Sequence, residues 1–101
     1  MIVIADLSDR ERFLAGYARE VPPLVARFGG RYLVKGAGGT FLEEPWCDHP
    51  SALVSEWPDR AAALAFWNSP EYAAARRLRD GTGRFQLLVI DSPAPASAGP
   101  A

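Results

Sequence analysis

The order in which two hydrophobic periodicities alternate along this chain constrains its fold more than any other feature. Short β-branched runs, which suit a pleated and packed surface, alternate with stretches whose apolar residues recur every three or four positions. Met1 to Ala5 opens the chain with a run apolar on both faces, which predicts a buried strand. Ser8 and Glu11 follow as an S-x-x-E capping box. Behind it Phe13, Tyr17, Val21, Leu24 and Phe28 form a single helical stripe. Pro22 has no amide for the carbonyl four residues back, so a kink or restart is expected near Val21. Gly29-Gly30 predicts a left-handed end to the helix.

Arg31 to Lys35 alternates polar and apolar residues and predicts a second strand. Gly36-Ala37-Gly38-Gly39 is expected to bend it before Thr40-Phe41-Leu42 resumes. Those glycines are no nucleotide loop, because no helix follows to meet a phosphate. Glu43 to Pro50 reads as a loop, and Ala52 to Trp57 as a third strand stopped by Pro58. Asp59 caps the next helix, and Ser69-Pro70-Glu71 restarts it with serine at the N-cap and proline at the first helical position. That helix should run toward Asp80 and close at Gly81 and Gly83, with a fourth strand over Phe85 to Ile90. Residues 1–91 then form one domain, and 92–101 a Pro/Ala-rich tail expected to be disordered. The order β-α-β-β-α-β predicts an α+β, ferredoxin-like fold: an antiparallel sheet with both helical layers on one face. The opposite face is left bare, and a second copy is its simplest cover, so a homodimer is expected.

Composition narrows the function. The formal net charge is −1, without the clustered positive face that nucleic-acid binding needs. No apolar run approaches the roughly 20 residues of a membrane span, and no secretory leader opens the chain, so a cytoplasmic protein is expected. Ten arginines against the single Lys35 suggest a GC-rich bacterial source. The lone Cys47 permits no internal disulfide. Cys47-Asp48-His49 offers at most three ligands where a structural zinc takes four, so no metal or cofactor is expected.

His49, the one side chain with an unperturbed pKa near neutrality, is a candidate acid–base catalyst. Glu56 is a second, since burial would tune it for proton transfer whereas an arginine partner would hold it ionised. Tyr72, Arg76 and Arg79 share one helix face and could grip an anionic or quinone oxygen. Glu56, Tyr72 and Arg79 are expected to line one pocket. Tyr17, Trp46 and Trp67 are candidates for its wall.

Four segments carry a resemblance to a known group. They are Tyr17…Val21-Pro22-Pro23, Phe28-Gly29-Gly30-Arg31-Tyr32-Leu33-Val34, Glu56-Trp57-Pro58 and Trp67-Asn68-Ser69-Pro70-Glu71-Tyr72…Arg79. Together, over residues 2 to 91, the chain resembles the bacterial domain-of-unknown-function family numbered 1330, of the dimeric α+β barrel superfamily. The resemblance implies two sheets facing each other as a barrel, with a pocket between each sheet and its helices. The superfamily includes cofactor-free monooxygenases, an isomerase, haem enzymes and ligand-sensing regulators, and the family itself has no generally assigned reaction. The chain departs from the family at Glu43-Glu44-Pro45-Trp46, followed by Cys47-Asp48-His49-Pro50, where Glu-Gly-Asp-Trp is expected. The expected function is a small-molecule-binding protein acting as a cofactor-free isomerase, cyclase or monooxygenase on an aromatic or polyketide-like substrate. The alternative is a non-catalytic binding or accessory dimer.

Overall fold

The structure, a computed structural model, describes residues 1–92, so the tail expected at 92–101 lies outside the described residues from position 93 onward. The four extended runs pair as one sheet: β1 (Ile2–Leu7), β2 (Arg31–Gly36), β3 (Ser51–Glu56) and β4 (Gly83–Leu88). Their spatial order is β2-β3-β1-β4 and every neighbouring pair is antiparallel. The most apolar run, β1, takes a central place between β3 and β4, yet only Ala5 in it is buried, short of the buried strand expected, because helices cover one of its faces alone. On one side of the sheet pack α1 (Arg10–Ala15), α2 (Tyr17–Arg27), α3 (Arg60–Trp67) and α4 (Pro70–Arg76), which continues as a 3-10 turn over Arg77–Arg79. This is the α+β ferredoxin-like arrangement.

The helix ends follow local chemistry. Asp59 accepts from the Ala62 amide at 2.8 Å, and Ser69 accepts from the Tyr72 amide at 3.1 Å. Gly29 takes φ +90°, and the amides of Gly29 and Gly30 return to Ala26 and Val25, a Schellman closure. Gly30 also admits a close approach, since a Cβ there would sit 2.9 Å from the Trp57 ring.

Three local expectations are corrected. The first helix is capped by Asp9, not Ser8; the Ser8 and Asp9 amides both donate to the Thr82 carbonyl, which holds Ser8 against the strand end. That helix breaks at Gly16 rather than near Val21, and Pro22 and Pro23 both sit inside α2. Buried Val21 and Val25 anchor α2 across the prolines, whereas Gly16 lies against Leu78, whose Cβ is 3.5 Å from where a Gly16 Cβ would stand. Thr40-Phe41-Leu42 does not rejoin the sheet, because the Gly39 amide bonds the Pro50 carbonyl at 2.8 Å and closes residues 40–49 into a loop.

Strand alternation divides the side chains. Val3, Ala5 and Leu7 of β1 face the helices, as do Leu53 and Phe85 opposite Val3 and Ala5. The buried cluster of Val21, Val25, Phe66, Tyr72 and Ala75 lies among the helices, with Phe28, Trp57 and Trp67 packed on it. Ile2, Ile4, Val54 and Leu88 alternate to the other face, which no helix covers among the described residues. There Val34 is 49% exposed and Leu88 42%.

Candidate functional site: a cavity between the sheet and the first helices

The break at Gly16 and the alternation of β1 together leave a space that packing does not fill. It is a cavity of about 250 Å³ between the sheet and the α1–α2 layer. Val3, Ala5 and Leu53 form its floor, and Leu14, Ala18 and Val21 its roof. Four aromatic rings complete the wall: Phe13, Tyr17, Tyr32 and Phe85. Phe13 stacks on Tyr17 at 5.2 Å and on Phe85 at 5.7 Å between ring centroids. The polar groups around it are cations, hydroxyls and backbone. Arg10 and Lys35 stand exposed at its edge, and Arg79 is half-buried in its wall.

Three polar groups on this wall, those of Tyr17, Arg79 and Lys35, are held by neighbours. The Tyr17 hydroxyl pairs with that of Tyr72 at 2.8 Å, which joins the cavity to the buried cluster behind it. Arg79 lies over Phe85 at 4.5 Å and over Tyr17 at 5.5 Å, and the Lys35 ammonium lies 4.4 Å over Tyr32. Desolvation, followed by the Tyr72 phenol, pushes the Tyr17 hydroxyl well above its ordinary pKa. Desolvation first, and then Tyr72, raises Tyr32 to about 12. Both are neutral hydroxyls at neutral pH.

The residues singled out from the sequence separate into three places. Tyr17 and Arg79 line the cavity, with Tyr72 behind Tyr17. Trp67 packs on Tyr72 at 5.2 Å and under Arg76 at 5.0 Å, away from the cavity wall. Glu56 does not join Tyr72 and Arg79: it stands opposite Arg31 on β2 and pairs with that guanidinium on the uncovered face. Its register one position from Ser55 sets that face. Trp46 stacks under Arg84 at 4.7 Å, and its carbonyl accepts from Arg84, which also meets Asp6. Cys47 lies in the same loop, its thiol raised by desolvation and then by Asp6. His49 is exposed two residues on. No group of three or more His, Cys, Asp or Glu able to hold a metal ion occurs among the described residues. Among them, too, no helix is long and apolar enough to cross a membrane. Sequence reasoning passed over Arg10, Lys35, Phe13, Tyr32 and Phe85 as wall residues. The 3.6-residue stripe already held Phe13, but nothing local marks the others.

Comparison with known proteins returns the same fold without an activity. The family described as Domain of unknown function (DUF1330) matches residues 1–93. A crystal structure of the RPA0582 protein of unknown function from Rhodopseudomonas palustris is similar, with TM-score 0.64 and 22% identity. The match covers 93% of this chain and 83% of that one. The methylated RPA0582 protein matches with TM-score 0.58 at the same identity and coverage. Among curated proteins nothing matches the chain.

Proposed function

We propose that this chain, which belongs to the DUF1330 family, binds a small, flat, largely apolar molecule in the cavity between its sheet and its first two helices. The carrying observation is the cavity itself, about 250 Å³ walled by aliphatic side chains and four aromatic rings. A dry apolar cavity of about 150 Å³ holds a benzene ring, so this one suits one or two rings. The protein is read as a cytoplasmic one of bacterial origin that needs no bound cofactor for this task.

Binding is favoured over turnover by what the wall carries. Proton transfer near neutral pH needs a group poised to titrate there, such as an imidazole or a raised carboxylate. The described wall has neither, and its phenols are driven away from ionisation. His49 and Glu56, which an isomerase or cyclase reading would employ, stand on an exposed loop and on the far face of the sheet. The reading is therefore the non-catalytic one, a ligand-binding or accessory protein.

A saturable probe tests it. Naphthylmethanol, neutral and two rings wide, should bind once per chain with a dissociation constant of about 10–100 μM. Ala18→Phe would place a ring into the cavity from α2 and should weaken that binding about ten-fold or more. Undiminished binding in a variant that keeps the native circular-dichroism spectrum would contradict the assignment.

We also propose that two copies pair through the uncovered sheet face. Leu33 is 52% exposed and Ile90 59%, beside Val34 and Leu88, and a patch of this kind marks an interaction surface. Light scattering on a sizing column should give twice the 11.0 kDa mass of one chain. A monomer at micromolar concentration would rule the pairing out.

A further inference from the structure

We propose that the ligand of this cavity is a carboxylate: a flat monoanion of one or two rings whose acid group meets Arg79 and enters between Arg10 and Lys35. This rests on the reading of the cavity as a small-molecule site and adds the charge of what fills it.

The wall and edge hold three cations and no carboxylate among the described residues. Elsewhere in the chain five of the eight arginines are matched with acids: Arg12 with Asp9, Arg27 with Glu71, Arg31 with Glu56, Arg60 with Asp91 and Arg84 with Asp6. No such ion pair is made by Arg10, Lys35 or Arg79 among the described residues. The sequence has twelve acids against eleven bases, so acids were not scarce. Of the six side-chain cations without such a pair among the described residues, Arg10, Lys35 and Arg79 gather around this aromatic-lined space, while Arg19, Arg76 and Arg77 stand on the outer helix faces away from it.

Arg79 carries the argument furthest. It is half-buried and held by the rings of Phe85 and Tyr17, so part of its hydration is lost without a counter-charge to offset it. An anion in the cavity supplies that charge, and beside a half-buried guanidinium the attraction is stronger than on the open surface. The guanidinium offers a planar fork, and the planar group that matches it edge to edge is a carboxylate. A second negative charge would have to be desolvated against the same single half-buried cation, which favours a monoanion over a dianionic phosphate. Arg10 on α1 and Lys35 on β2 both stand exposed at the edge, where their charge draws an anion inward and is screened by salt. A cationic ligand meets three like charges. The neutral hydroxyls of Tyr17 and Tyr32 add no opposing negative charge.

Calorimetry on the full chain with naphthoate and with neutral naphthylmethanol separates the charge from the cavity. Naphthoate should bind about ten-fold tighter or more, and added salt should narrow the gap. Arg79→Met should abolish the preference while leaving naphthylmethanol within about two-fold, and Arg79→Lys should restore part of it, because charge returns without the fork. Lys35→Met, at an exposed position, should reduce naphthoate binding by about two- to three-fold and affect naphthylmethanol less. Equal affinities of the wild-type chain for the two probes would overturn the carboxylate assignment while leaving the cavity reading intact. So would an Arg79→Met variant that weakens both alike. Binding of neither probe would overturn both.

Discussion

Tyr17 and Tyr72 bring the cavity and the helical core into one hydrogen bond. The Tyr72 side chain is 1% exposed, with Phe66 at 4.5 Å and Trp67 at 5.2 Å, so its hydroxyl has no access to bulk water. Tyr17→Phe strands that hydroxyl and should cost about 1–3 kcal/mol of stability. Tyr17→Phe with Tyr72→Phe should cost less than the sum of the two single changes, because the second removes the stranded group. Additive losses in thermal unfolding would mean that the pair contributes nothing as a pair. The same bond predicts a pH dependence. Burial raises the Tyr17 pKa in the fold above its ordinary 10.0, so above that pH the unfolded chain gives up a proton that the folded chain keeps. The contribution is intact below pH 10.0 and is lost as the pH climbs beyond it, and Tyr17→Phe should flatten that fall. Tyr17 was legible as a member of a helical stripe, but a partner 55 residues away has no local signature. Arg10 and Lys35 were missed for the same reason: only the closed fold brings them to one edge.

Elements formed where local chemistry was decisive and departed where distant packing was. Ser69 is 6% exposed and serves two groups, accepting from the Tyr72 amide and donating to the Phe66 carbonyl at 2.8 Å. That doubled role was half visible in Ser69-Pro70-Glu71, which signals a helix start by itself. Ser69→Ala should cost about 1–2 kcal/mol, more than an exposed cap, because a buried amide and a buried carbonyl lose a partner together. At roughly 4–8 °C per kcal/mol for a domain of this size, calorimetry resolves that loss, and an unchanged melting temperature would show the cap to be dispensable. The break at Gly16 was not legible, since its partner Leu78 comes from the other end of the fold. The prolines that promised a break fit within α2, because Val21 and Val25 bury the helix on both sides of them. The failed strand at Thr40-Phe41-Leu42 is likewise a matter of closure, set by the Gly39–Pro50 bond.

At the scale of the whole molecule, one sheet separates two surfaces of different chemistry. The helix-bearing side encloses an apolar space edged by unmatched cations, and the other side carries exposed Val34 and Leu88 together with the Arg31–Glu56 pair. A single step of strand register decides which surface a residue serves, so Glu56 could be placed on a strand from sequence but not on a face. The overall topology was legible because periodicity and caps agree along the chain. The site was only partly so, because Trp46 and His49 sit in a loop whose path no periodicity fixes. Occupancy of the cavity by a carboxylate is open to direct measurement. The isotope-labelled full chain is titrated with naphthoate while its amide resonances are followed by nuclear magnetic resonance. The shifts should concentrate at Ala5, Tyr17, Tyr32, Leu53 and Phe85. Shifts confined instead to Trp46, Cys47, His49 and Glu56, with the cavity residues unmoved, would contradict it.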